Sequence, residues 1–289
     1  MRQRTRTLVA LGAAAALGLG TTAALVGSAE AAATSALGLS SNGKTLKTFS
    51  LKDGAKIKNI GNVSGLSGDT KLVGIDVRPE NKAFYGVGNA GGVYTLNTST
   101  GAATKVSQIS VALEGTNFGV DFNPAADRLR IVGDTGQSLR HDVTQATPTT
   151  AVDSRVNYPV GTPPAPGPDA TGITAAAYTN NDAFANTATG TTLFDLDMTL
   201  DRVAQQVPAN AGTLVVAGPF GPRLGPVAGF DIVSTVRDNG NAVTNTGYAT
   251  LRPTSGGLGS LYKVDLLSGA LTKVANFTHD VADLAIPQG

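Results

Sequence analysis

The chain contains no cysteine. This excludes a disulfide framework, a lipid-modified cysteine and thiol chemistry, and leaves stability to packing. Histidine is almost as scarce: His141 and His279 are the only two, and they lack the spacing of a metal-ligand motif. His279 stands beside Asp280, but the stretch reads as a surface turn rather than an acid–base pair. Glutamate occurs only as Glu30, Glu80 and Glu114. No G-x-S-x-G, H-E-x-x-H or calcium-loop pattern occurs, so the common nucleophile and metallohydrolase signatures are missing. A G-x-G-x-x-G match at Gly86-Val87-Gly88-Asn89-Ala90-Gly91 falls between two strand-like runs, with no helix to receive a pyrophosphate, and is read as chance.

Long apolar runs are also missing, except at the start. Arg2, Arg4 and Arg6 precede an alanine-rich apolar run from Leu8 to Val26, and small residues follow, Ser28-Ala29-Glu30-Ala31-Ala32-Ala33. That order predicts a secretory signal peptide over residues 1–33, cleaved after Ala31 or Ala33. A membrane anchor is the alternative, since about 20 apolar residues cross a bilayer, but the small residues and the Ala-x-Ala site favour cleavage. Losing three arginines and Glu30 turns the formal charge of +1 into −1. No basic patch for phosphates is implied, so nucleic acid is not expected as a partner. No later segment reads as membrane-spanning, and a secreted, extracellular monomer is expected.

Glycine, threonine, valine and asparagine are abundant, which favours strands and turns over helices in the remaining 255 or so residues. An internal repeat organises them. Val93-Tyr94-Thr95-Leu96 and Leu261-Tyr262-Lys263-Val264 each open an apolar strand, a turn closing on Gly101 or Gly269, and a second strand ending at Val106 or Val274. Weaker copies start at Leu46 (with Gly54 in the turn), Leu139 and Leu193. Upstream of four hairpins stand Gly74-Ile75-Asp76-Val77, Gly119-Val120-Asp121-Phe122, Gly172-Ile173-Thr174-Ala175 and Gly229-Phe230-Asp231-Ile232. Their starts lie 45, 53 and 57 residues apart, near the blade period of a propeller at about 40–50 residues. One more short strand is expected in each unit, at Ala83–Val87, Leu129–Val132, Ala183–Thr187 and Ala242–Leu251.

The chain ends set the count. Asp283-Leu284-Ala285-Ile286 supplies a lone first strand, whereas Ala36-Leu37-Gly38-Leu39 begins a unit that has only its second, third and fourth strands. Together they complete one blade and close the ring. The predicted fold is therefore all-β, a five-bladed β-propeller with four antiparallel strands per blade, in one domain over residues 34–289. Apolar residues on both parities of the hairpin strands agree with sheets packed on both faces, which a sandwich or solenoid with a split end unit would not explain. Pro159, Pro163, Pro164, Pro166 and Pro168 mark a stiff surface insertion at 158–171.

Gly119-Val120-Asp121-Phe122-Asn123-Pro124, Asp127-Arg128-Leu129-Arg130-Ile131-Val132 and the run from Asp134 to Arg140, with Thr192-Leu193-Phe194-Asp195-Leu196-Asp197 and Leu200-Asp201-Arg202, resemble the bacterial secreted family labelled domain of unknown function 4394. The resemblance covers nearly the whole chain after the leader. It implies an exported, propeller-like protein and brings no assigned activity or catalytic residues.

First strands of propeller blades line the central channel, which singles out Asp76, Asp121 and Asp231, with Thr174 and Ala285 in the corresponding places. Three carboxylates facing one channel could hold a hard divalent cation, or act as acid and base on a glycosidic bond. The plainer expectation is that they accept backbone amides and fix blade geometry. The third unit departs from its siblings: Asp121, Asn123, Arg128 and Arg130 share strand parities, and Arg140 and Asp142 replace apolar residues. Such arginines suit an anionic ligand or an inter-blade Arg–Asp network, and the network is preferred. Glu114 is the remaining candidate for a general acid on a loop. A non-catalytic extracellular binding protein for a glycan, small anion or protein is expected, with no cofactor unless the channel admits a cation. A hydrolase using the channel carboxylates and a purely structural envelope protein are the alternatives.

Overall fold

The computed structural model describes residues 34–145, 147–181, 190–236 and 242–287. The predicted leader and the strand expected at Ala183–Thr187 lie outside them. Strands β1 (Ser35–Leu39), β2 (Thr45–Ser50) and β3 (Lys58–Asn62) belong to the first blade. The second holds β4 (Leu72–Arg78), β5 (Ala83–Gly88), β6 (Gly92–Leu96) and β7 (Ala103–Gln108), and the third β8 (Phe118–Asn123), β9 (Arg128–Gly133), β10 (Ser138–His141) and β11 (Thr150–Val152). The fourth holds β12 (Ile173–Tyr178), β13 (Leu193–Asp197), β14 (Arg202–Gln206) and β15 (Leu214–Pro219), and the fifth β16 (Leu224–Val236), β17 (Ala242–Pro253), β18 (Ser260–Val264) and β19 (Leu271–Asn276). The last strand, β20 (Asp283–Ala285), returns to β1, so the first sheet runs β20-β1-β2-β3. Pairing there is antiparallel, with Leu37 opposite Ala285 and Leu39 opposite Asp283. The split blade is as the sequence predicts.

Closure is visible in the packing. The innermost strands contact one another in a ring, β20 to β4, β8, β12, β16 and back to β20. Five apolar cores fill the five joints between blades. Leu39 and Leu46 pack with Leu72 and Tyr94 at one joint, and Phe49 and Leu51 with Val233 and Leu261 at the joint that closes the circle. Each such leucine, valine or phenylalanine contributes about 1.5–3 kcal/mol when removed from water, and this replaces the cross-links a cysteine-free chain cannot make. Inner strands such as β8 and β12 are buried along nearly their whole length, whereas β3 and β19 are half-exposed or exposed throughout.

The hairpin turns have a shared local chemistry. Asn97 Oδ1 accepts the Ser99 and Thr100 amides, and Asp265 Oδ1 accepts those of Leu267 and Ser268. Gly101 and Gly269 then close the turns at φ of 78° and 74°. A side chain at Gly269 would also meet the Gly218 carbonyl of the neighbouring blade at 2.2 Å.

The fourth blade differs from expectation. The hairpin beginning at Leu193 was predicted as its third and fourth strands; it forms the second and third, and β15 supplies the fourth. The register of the first strand explains the shift. Asp76 accepts the amide of Phe122, which follows Asp121, and Asp231 accepts that of Ile286, which follows Ala285. Asp121 accepts the amide of Tyr178, so Ala177, not Thr174, occupies the equivalent place. The expected frame at Gly172 is three residues early, and Thr174 falls at a bulge near the channel mouth. The proline-rich insertion connects β11 to β12, where Asn157 bridges to both Asp169 and Thr213.

Candidate functional site

Because a first strand turns its peptide edge towards the next blade, a carboxylate on it can reach a neighbour's amide. Four do so. Asp283 Oδ2 accepts the Ile75 amide at 2.9 Å, Asp76 Oδ2 that of Phe122 at 2.7 Å, Asp121 Oδ1 that of Tyr178 at 3.1 Å, and Asp231 Oδ2 that of Ile286 at 2.6 Å. Four of the five joints are thereby clasped by a carboxylate. The joint between the fourth and fifth blades has alanine at this place and no such clasp among the described residues. Asp283 was not anticipated as a channel carboxylate, because it sits two residues before Ala285, outside the repeated frame.

One oxygen each from Asp76, Asp121 and Asp231 lie within 4.8 Å of one another, and all three residues are buried. Burial pushes all four carboxyls up, Asp231 to about 8 and Asp283 to about 7, and the mutual repulsion of neighbouring carboxylates adds to this at Asp76 and Asp121. Oδ2 of Asp121 has no hydrogen-bond partner among the described residues, nor does the Thr174 hydroxyl. Leu72, Phe118, Thr174, Ala228 and Asp283, one from each blade, line a cavity of about 50 Å³ at the channel mouth.

The third unit's arginines are engaged. Arg130 is wholly buried and donates to Tyr178, Ser138, Asn210 and Asp153. Arg140 makes a two-pronged contact with the same Asp153, at 2.8 and 2.9 Å. Arg128 pairs with Asp142 at 2.9 Å, and Asn123 caps the turn after β8 through the Ala125 and Ala126 amides. These side chains form a network between the third and fourth blades. Sequence reasoning missed one of its carboxylates and another buried beside it. Asp153 lies just beyond β11, and Asp195 is fully buried, pushed up to about 8 by burial against the restraining charge of Arg130.

Glu114 is exposed and pairs with Arg155 at 2.6 Å, on the surface rather than among the channel carboxylates. His141 is buried between the second and third blades, with Ser107 on Nε2 at 2.6 Å and Thr150 on Nδ1 at 2.9 Å; burial lowers its pKa. Asp280 bonds to Ser41 and Arg252, while His279 meets Thr278.

The unclasped joint bears a concavity of its own. A groove of about 690 Å³ opens between the fourth and fifth blades, at the opposite end of the ring from the Thr174 mouth. Asn180, Thr192, Gln205, Asn245, Thr246 and Thr272 present amides and hydroxyls to it, over a floor that includes Phe194. No sequence motif marks this groove, because it is made by two blades whose contributing residues are some 65 positions apart, as in the hydrogen bond between Asn180 and Asn245.

A family model described as Domain of unknown function (DUF4394) matches residues 45–285. No curated protein matches the chain. Among solved structures, an auxiliary nutrient binding protein from Bacteroides thetaiotaomicron VPI-5482 aligns at 14% identity and a TM-score of 0.39, covering 74% of this chain and 55% of its own. The chain thus spans little more than half the length of that protein. A structural genomics protein of unknown function from the same organism aligns at 15% identity and a TM-score of 0.48, covering 91% of this chain and 69% of its own. A putative TolB from Agrobacterium tumefaciens aligns at 10% identity and a TM-score of 0.40, covering 88% and 83%. No helix among the described residues is long and apolar enough to cross a membrane.

Proposed function

The chain belongs to the DUF4394 family, and from that premise we propose that it is an exported, non-catalytic binding propeller that holds a neutral, polyhydroxylated ligand, a glycan, in the groove between its fourth and fifth blades. The chemistry of that groove carries the reading. Amide and hydroxyl side chains converge on a volume of about 690 Å³, within the range of about 300–1,000 Å³ usual for small-molecule sites. Asparagine, glutamine and threonine each both donate and accept, which matches sugar hydroxyls that do the same. An anionic ligand has less support, since Arg128, Arg130 and Arg140 are all paired with aspartates and the groove's one cation among the described residues, Lys263, shares the lining with Asp265. A hydrolase has less support as well. Asp76, Asp121 and Asp231 are at most 1% exposed and engaged with backbone amides, beyond reach of a glycosidic bond as they stand. Export rests on the leader pattern over residues 1–33.

A glycan array followed by calorimetry on the best hit tests this. Saturable binding is expected, with loss of at least tenfold in affinity on Gln205→Ala or Thr272→Ala and an unchanged melting temperature. No binding across the array, or binding indifferent to both substitutions, would overturn the assignment to this groove.

A further inference from the structure

We propose that Asp76, Asp121 and Asp231 bind one divalent cation of the calcium class inside the channel. The inference is independent of the groove and stands on three observations. The first is span. Oxygens on opposite sides of a calcium ion, at about 2.4 Å from it, are about 4.8 Å apart. One oxygen from each of the three carboxylates lies within 4.8 Å of the others, so one ion placed among them comes within small side-chain shifts of all three.

The second is the orphaned Oδ2 of Asp121, which is fully buried and has no hydrogen-bond partner among the described residues. Its Oδ1 is taken by the Tyr178 amide, so the clasp between blades does not account for the second oxygen. A buried acceptor left without a partner is costly, and a cation removes that cost. The third is charge. Four carboxylates share the channel, and none of the ion pairs among the described residues involves any of them. Once ionised, they find no counter-charge in those ion pairs, and a cation supplies it. An all-oxygen donor set selects hard ions over zinc or copper, and a buried set of three carboxylates suits calcium better than magnesium, which gives up its waters reluctantly. Entry of the ion displaces protons from the carboxyls, which leave to solvent.

The purified full chain, stripped with chelator and held at pH 7.5, is titrated with calcium, magnesium and manganese by calorimetry and by thermal melting. One calcium per chain is expected, with a rise of about 5–10 °C in melting temperature at hundredfold excess over Kd. Asp121→Asn keeps an oxygen for the Tyr178 amide but removes the charge, and is expected to abolish the rise. Should that variant fail to fold, calcium content of the wild-type chain after gel filtration decides, at one equivalent expected. The proposal is overturned by the absence of bound calcium, by magnesium binding in its place, or by an undiminished rise in Asp121→Asn.

Discussion

Arg130 is the largest wholly buried side chain among the described residues, and replacing it with methionine tests whether the third unit's charges are architecture. The substitution keeps most of the apolar stem and removes the guanidinium. Tyr178, Ser138 and Asn210 each lose a donor at 2.8–3.1 Å, and Asp153 is left with Arg140 alone. Asp195, already raised by burial, loses the positive charge that holds it down. Breaking a buried charged network by removing one partner costs about 3–5 kcal/mol. For a domain of this size 1 kcal/mol moves the melting temperature by about 2–4 °C, so a fall of about 6–20 °C is expected. Glu114→Gln is the control. Its pair with Arg155 is about half exposed on both sides, and its loss is expected to cost about 0–1 kcal/mol. Urea denaturation of both variants, with melting curves alongside, measures the difference. An Arg130→Met chain within about 1 kcal/mol of wild type would refute the structural reading of this network.

In divalent-free buffer, stability should fall as pH rises from 5 to 7. The channel carboxyls titrate higher in the folded chain than in the unfolded one, so their contribution is complete near pH 4 and is lost as pH climbs through about 7–8. One retained proton gives a slope of about −1.4 kcal/mol per pH unit. Buried His141 works in the opposite sense, losing stability as pH falls below about 6.5, so the difference in slope between wild type and Asp231→Asn isolates the channel; equal slopes would count against it. Gly269→Ala combines a φ of 74° with a 2.2 Å approach to the Gly218 carbonyl, and is expected to destabilise by more than about 1 kcal/mol, read from the urea midpoint.

The repeat was legible because each blade must bury the same kind of strand in the same place. Gly74-Ile75-Asp76-Val77 and its counterparts therefore recur, and the hairpin turns need glycine at positions such as 101 and 269. Closure was legible too, since a lone strand at Asp283 has no partner in sequence and must find one in space. The fourth blade was misphased because Gly172 and Thr174 imitate the frame while the true equivalent, Ala177, carries no functional group to mark it. Asp283 escaped notice for the complementary reason, being a carboxylate out of phase that the ring brings into the channel. Pairings such as His141 with Ser107, and the groove between the fourth and fifth blades, join residues on different blades. Local pattern reports which face a side chain takes and not which neighbour it meets.

The lack of cysteine offers the most direct test of the closed ring on which all of this depends. In the closed ring Leu37 and Ala285 stand directly opposite each other across β1 and β20, at a separation of about 4.5–5.5 Å between Cα atoms that a disulfide tolerates. A chain carrying Leu37→Cys and Ala285→Cys has no other thiols, so mild oxidation followed by mass spectrometry of the tryptic fragments reports this pairing alone. Near-complete cross-linking within one chain is predicted, against little for Leu37→Cys with Ile286→Cys, whose side chains fall on opposite faces of the sheet. Absence of the first cross-link, or equal yield from both pairs, would contradict the ring.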